Sequence, residues 1–300
     1  MRGTADRASA KAADRWRFYT LAPALAVYLL LALLPIVNLA TMSVHDIHWQ
    51  QGAARWTLVG MKHYAELPRD VLVRAGLANT ALFALIAVTA EMLIGFALAL
   101  FVSRIAVGRV LYRTIFLLPI LLPGIVIGAI WKLMYNPDFG VINQLLHLLG
   151  LPGFDWLGSG SLAFLSVIIV DVWHWTPFVF LLLLAGLETL PQDIHEAAML
   201  DGASAWQELR DVTIPMMVPI LVMTLAFRLI VSFKVFDEVY LLTGGGPGTA
   251  TEVLSFTIYR RFFTEDRMGY GSAISVIALF LLTLVIVLFM GMARRRMHAH

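Results

Sequence analysis

The sequence predicts an all-α polytopic membrane protein with six transmembrane helices, and three observations carry that prediction. The first is composition: of 300 residues, 60% are hydrophobic and only 14% charged, and the mean hydropathy is +0.81. Soluble domains hold roughly 45–50% apolar residues. The second is length, because six apolar runs each supply the ~20 helical residues that a hydrocarbon core about 30 Å thick requires. The third is charge placement. Lys and Arg gather at the ends of these runs and form no stripe, so the net charge of +2 encodes topology and gives no reason to expect a nucleic-acid partner. Cysteine is absent, which excludes disulfides, thiolate metal sites, iron–sulfur clusters and cysteine nucleophiles for this polypeptide.

Residues 1–17 form a polar, basic segment. The apolar stretch after it exceeds a signal-peptide core and lacks a convincing cleavage site, so it is expected to be an uncleaved anchor. The predicted spans are Phe18 to Met42, Ala78 to Val102, Thr114 to Tyr135, Leu162 to Leu187, Pro215 to Val235 and Gly271 to Ala293, within a membrane domain of 18–293. An even number of spans puts both termini on one side. Positive residues near membrane ends stay cytoplasmic. With the termini inside, the inner segments hold Arg2, Arg7, Lys11, Arg15, Arg17, Arg104, Arg109, Arg113, Arg210 and Arg294 to Arg296, against a smaller outer set of Arg55, Lys62, Arg69, Arg74, Arg260, Arg261 and Arg267. Residues 188–214 are therefore expected to be a cytoplasmic loop and 294–300 a cytoplasmic tail, with 136–161 and 236–270 outside. The run Gly244-Gly245-Gly246-Pro247-Gly248 must be a turn, since glycine and proline both break helices. Pro119, Pro123, Pro177 and Pro219 free backbone carbonyls within the membrane, which is tolerated where helices pack or line a cavity.

The most informative segment lies between the fourth and fifth spans. Pro191 and Asp193 are a helix start signal, Glu196 to Leu200 are good helix formers, and Gly202 is a stop. Alanine and glycine allow another protein's surface to approach closely, while Glu196 and Asp201 offer polar anchors. Physics alone leaves two readings, a solvated loop and a short docking helix.

Glu196-Ala197-Ala198, Gly202 six positions after the glutamate, and then Ile214-Pro215 resemble the EAA motif of binding-protein-dependent ABC importer permeases. The resemblance extends through Asn79-Thr80, Leu118-Pro119 with Pro123, Trp131, Phe139 to Asn143, Trp173, Leu187, Pro191, and Gly244 to Pro247 with Thr251, which are similar to landmarks of the maltose-transporter type of sugar permease. It implies the type I ABC importer permease fold in the inner membrane. It also implies a sister permease subunit, two ATPase subunits docking on Glu196, Ala197, Ala198, Asp201 and Gly202, and an extracytoplasmic substrate-binding protein. The chain departs from the family pattern at His195, where tyrosine is usual, and in lacking the extra N-terminal helices and large periplasmic domain of the maltose permease. None of Lys11, Lys62, Lys132 and Lys234 has phosphate-loop spacing. ATP and Mg would then be bound by the partner ATPases, leaving this chain without a cofactor and without catalysis.

Ionisable groups inside a bilayer usually face a cavity or a partner. Glu91 has no companion evident in the sequence and reads as a helix–helix hydrogen bond; Lys132 and Lys234 lie where they can snorkel. Asp171, His174, Trp175 and Phe178 share one helical face, combining polar groups with aromatic plates as sugar sites do. The resemblance carries the family's sugar-contacting positions onto Gly124, Asp171, His174, Trp175, Phe178, Arg228, Ser232 and Asp237. Two readings stay open for them, a pocket or a packed dimer interface. Arg228 and Asp171 either point to an anionic sugar derivative or neutralise each other. His45 and His48 are read as interface residues, and no metal site is expected. The alternatives to an importer permease are an ion-coupled secondary transporter, an intramembrane enzyme and a purely structural subunit. Sparse buried charge, the absence of paired aspartates and the EAA spacing weigh against them in turn.

Overall fold

A computed structural model describes residues 2–50, 52–105 and 108–297; Met1 and the terminal His298 and His300 lie outside the described residues. In chain order the elements are α1 (Arg2–Ser43), a hairpin β1 (His45–Gln50) and β2 (Ala53–Leu58), α2 (Lys62–Glu66), α3 (Val71–Ser103), α4 (Arg109–Leu117), α5 (Gly124–Met134) and α6 (Val141–Leu148). They continue with α7 (Gly160–Glu188), α8 (Gln192–Leu200), α9 (Ala205–Gln207), α10 (Ile214–Ser232), α11 (Asp237–Leu242), α12 (Leu254–Tyr259) and α13 (Met268–Met297). The class is the predicted helical one, with a single small hairpin added among the described residues.

Among the described residues, five helical stretches are long and apolar enough to cross a membrane: Tyr19–Ser43, Val71–Ser103, Gly160–Glu188, Ala205–Leu242 and Met268–Gly291. The predicted third span is not one helix. It is divided into α4, a 3₁₀ turn Pro119–Leu121, and α5. Pro123 sits at φ −61°, ψ +139° as the residue before α5, and Leu122 is extended at ψ +135°, as expected of a residue preceding proline. The second span starts seven residues earlier than predicted, at Val71 instead of Ala78. The Asp70 carboxylate caps the backbone N–H of Leu72 at 2.9 Å and satisfies a donor that would otherwise be orphaned.

The chain resolves into two compact units. One comprises residues 1–66 and 261–277. Here β1 and β2 pair antiparallel with His45 opposite Leu58 and Gln50 opposite Ala53, and Gly52 takes φ +80° at the turn. His45 and His48 thus stand on a strand, where a separation of three places them on opposite faces. Asp46 holds Lys62 at 3.1 Å and His63 at 3.2 Å, Tyr64 donates to Ser43 Oγ at 2.7 Å, and Arg267 pairs with Glu66 at 2.6 Å. The apolar stretch of α1 has none of its span window buried.

The other unit comprises residues 67–260 and 278–300. Its backbone is α3 packed along α7, with α10 against both. One end of its core joins Phe83, Ala87, Ile127, Val167, Val170 and Val239; the other joins Ala99, Val102, Val179, Phe180, Leu183 and Met217. Gly95 permits the close α3–α7 approach, since a Cβ there would lie 2.7 Å from Val179 Cγ1. The Gly-rich turn is pinned to α3: Asn79 Nδ2 donates to the carbonyls of Thr249 and Glu252, each at 2.9 Å, and Thr80 Oγ1 accepts the N–H of Leu254 at 2.9 Å. Asn143 does similar work on α6, donating to the carbonyl of Phe154 at 2.9 Å and accepting from Trp156 Nε1 at 2.9 Å.

Candidate functional site: a polar cavity and a surface helix

The first candidate region is built by the sequence between α7 and α10. Pro191 holds φ −62°, ψ +128° before α8, and Asp193 lies in the first turn, where a carboxylate opposes the helix dipole favourably. At the other end Gly202 adopts φ +78°. Its N–H donates to the Met199 carbonyl at 3.1 Å, and that of Ala203 donates to the Ala198 carbonyl at 3.0 Å. This pair of bonds is the Schellman closure, which needs a left-handed residue. A second stop-and-start follows immediately. Ser204 and Gln207 form a capping box at the head of α9, leading through a π-helical turn, Glu208–Thr213, into α10. Glu196, Ala197, Asp201 and Gly202 are exposed and Ala198 is half-buried. Beside them Leu200 is 89% exposed, Met199 62% and Trp206 66%. In the sequence Met199 and Leu200 read only as helix formers and Trp206 carries no role; their signal as contact residues is their placement on a polar loop.

The second region is a cavity of about 460 Å³ among α5, α7, α10 and α11. Of the predicted substrate positions, Gly124, Asp171, His174, Trp175 and Asp237 line it. Gly124 is the first residue of α5 after the proline break, and a Cβ there would lie 2.7 Å from Asp237 Oδ2; only glycine lets that carboxylate lie over the helix start. His174 Nδ1 lies 3.3 Å from Glu238 Oε1. Glu238 lines the cavity, as do Phe236 and Lys234; the sequence alone leaves Glu238 and Phe236 out and has Lys234 free to snorkel.

The remaining three positions lie elsewhere. Phe178 packs at a tilt against Phe227 with centroids 4.7 Å apart, one turn beyond the cavity face. Ser232 is 1% exposed, and its Oγ has no hydrogen-bond partner among the described residues. Arg228 is fully buried, with its guanidinium bound at two points to the Glu91 carboxylate, Nη2 to Oε1 at 2.6 Å, and at 3.0 Å to Asp171 Oδ2. Its Cζ lies 4.6 Å from the Trp175 ring centroid. The expectation that Arg228 faces substrate is corrected: its charge is spent on two carboxylates from α3 and α7. Glu91 therefore has the companion its sequence surroundings do not reveal. The mutual neutralisation of Arg228 and Asp171 is the arrangement found.

A bundle of spanning helices with a broken third span, a polar cavity beside the break and a capped helix between two spans defines a multi-spanning permease. The family described as the binding-protein-dependent transport system inner membrane component matches residues 91–299, and the chain belongs to it. It is an inner-membrane, multi-pass protein. It is 35% identical over 275 residues to the trehalose/maltose transport system permease protein MalF of Thermococcus litoralis, covering 91% of this chain and 92% of that one. It is 31% identical to the sulfoquinovosyl glycerol transport system permease protein SmoG of Agrobacterium fabrum, covering 92% and 89%. Among solved structures, a chain of a bacterial ABC transporter involved in the import of the acidic polysaccharide alginate superposes with a TM-score of 0.82 over 96% of this chain and 99% of that one, at 23% identity, which establishes the fold.

Proposed function

We propose that this chain is one of two permease subunits of an ATP-binding-cassette importer that moves a carbohydrate across the inner membrane. In this reading two ATPase subunits bind ATP and Mg and perform all hydrolysis, and the chain itself is non-catalytic. A sister permease completes the path, an extracytoplasmic binding protein delivers the sugar, and both termini face the cytoplasm. The family and the relatives named for trehalose, maltose and sulfoquinovosyl glycerol support carbohydrate as the class. Those names include neutral and sulfonated sugars and so leave the charge of the substrate open.

The observation that carries the reading is α8. A two-turn helix, capped at its C-terminal end and set between two spans, presents Leu200 and Met199 to solvent together with Glu196 and Asp201. Exposed apolar side chains rimmed by polar groups mark protein contacts. An ATPase that closes on ATP can push such a helix as a rigid body, and the short links to α7 and α10 pass the movement to the cavity-lining segments.

The chain has no cysteine, so Leu200→Cys introduces its only thiol. In the assembled complex a short bifunctional reagent is expected to join that thiol to the ATPase subunit, with a yield that changes when ATP is added. Labelling of the introduced thiol by a bulky polar maleimide at the same rate with and without the ATPases would refute the docking role.

A further inference from the structure

We infer that one face of the β1–β2 hairpin lies flat on the lipid at the membrane surface where α1 ends, with Trp49 and Trp56 seated at the headgroup level of the phospholipid layer. This concerns how the first span is anchored, and it is independent of the substrate and of the motor.

The register sorts the side chains of the hairpin into two faces. Residues opposite one another on an antiparallel pair share a face, and successive residues alternate. With Ile47 opposite Trp56 and Trp49 opposite Ala54, one face carries His45, Ile47, Trp49, Ala54, Trp56 and Leu58. The other carries Asp46, His48, Arg55 and Thr57. On the apolar face Ile47 is buried and His45 meets the Trp56 ring in a T-shaped contact with centroids 5.7 Å apart, whereas Trp49, Trp56 and Leu58 are exposed in the isolated chain. A lone two-stranded ribbon is marginal in water and gains stability when its apolar face is covered.

The height of the hairpin is set at its base, within one compact unit. A single residue, Val44, separates β1 from α1, whose apolar stretch Tyr19–Ser43 is long enough to cross the membrane. The same strand end abuts the head of a second span: a Cβ on Gly269, in the first turn of α13, would collide with the His45 carbonyl. His63 Nε2 lies 3.2 Å from that carbonyl and 3.2 Å from Asp46 Oδ1, and Glu66 pairs with Arg267 just before α13. The base is thereby held where two spans meet the surface. An upright hairpin would lift Trp49 about 13 Å from His45, beyond a headgroup layer only about 5–8 Å thick. A flat one keeps Trp49, Trp56 and Leu58 in that layer and turns His48 and Arg55 to water. Tryptophan concentrates at this level because its ring is amphipathic, and an apolar face with a polar reverse is the pattern of elements that lie in the interface.

The test exploits the absence of cysteine from the chain. His48→Cys, Trp49→Cys, Arg55→Cys, Trp56→Cys, Thr57→Cys and Leu58→Cys, one at a time, take a nitroxide label in the full complex, whose other subunits are freed of cysteine. The complex is reconstituted in vesicles of phosphatidylethanolamine and phosphatidylglycerol. Each tryptophan variant keeps the other indole, and retained assembly with the partner subunits reports that the chain is folded. Accessibility to oxygen, which partitions into lipid, is compared with accessibility to a water-soluble nickel chelate. The expected result is an alternation with the two-residue period of a strand: oxygen-rich and nickel-poor at the Trp49, Trp56 and Leu58 positions, and the reverse at His48, Arg55 and Thr57. The pattern should persist when the extracytoplasmic binding protein is added. Equal nickel access on both faces overturns the inference, because the hairpin then stands in water. Labels on the apolar face that are immobilised and shielded from both reagents overturn it as well, because that face is then packed on protein. Shielding from the outset would assign the face to the sister permease, and shielding only on addition of the binding protein would assign it to that partner.

Discussion

Arg228 shows how a membrane interior handles charge. The side chain is sealed, and its two carboxylate partners come from separate helices, Glu91 on α3 and Asp171 on α7, so the three residues tie α3, α7 and α10 together at one level. Buried ion pairs add little net stability over an apolar packing, yet removing one partner leaves an uncompensated charge and costs roughly 3–5 kcal/mol. Arg228→Met should therefore destabilise the folded chain by about 3–5 kcal/mol, read as a lower unfolding midpoint of the purified complex. The triple change Glu91→Gln, Arg228→Met and Asp171→Asn should recover most of the loss, and a triple variant as unstable as the single one would show that the charges are not what couples the helices. Glu91 and Arg228 are 137 residues apart, and no periodicity within one helix can reveal such a pairing. The sequence did show that each buried charge needed a partner. It also placed Asp171, His174, Trp175 and Phe178 on one face, because three, four and seven residues return a helix to the same side; the first three line the cavity and Phe178 does not.

At the scale of elements, the prolines decide more than the hydropathy. The stretch from Thr114 to Tyr135 is apolar throughout, so a length criterion counts one span, whereas Leu118 to Pro123 breaks it and starts α5 at Gly124. That break puts the glycine beside Asp237. The hairpin of β1 and β2 escaped notice because its strands lie outside every span and show no clean alternation of buried residues, β2 being exposed along its length. The bounds of α8, by contrast, were legible, since Pro191, Asp193 and Gly202 are local signals that need no tertiary context, although those signals alone left a solvated loop and a docking helix both open. Gly202 makes the sharper test. Nothing lies within 4 Å of where its Cβ would sit, so bulk in the isolated chain is not the constraint; its φ of +78° is. A side chain in left-handed backbone costs roughly 1–2 kcal/mol, with asparagine the best tolerated. Substrate-stimulated ATP hydrolysis by the complex should fall in the order Gly, Asn, Ala, Val at this position. Equal activity in all four would show that the turn closing α8 has no part in transmission.

For the whole molecule, the proposed function gives two regions different tasks: the cavity would meet the substrate, and α8 would meet the motor. Among the described residues, five helices are long and apolar enough to cross a membrane and one span is interrupted, and the family relationship over residues 91–299 covers both regions. Neither a nucleotide-binding loop nor a catalytic constellation is required of a chain with this division. The central claim is that transport through this chain is driven by ATP hydrolysed on partner subunits. The most direct measurement is uptake of labelled trehalose or maltose into vesicles holding the complete complex, with the binding protein on one side and ATP supplied on the ATPase side. The account predicts accumulation that requires ATP and persists when proton and sodium gradients are collapsed. Accumulation that proceeds without ATP and stops when an ion gradient is removed would contradict it and establish an ion-coupled carrier instead.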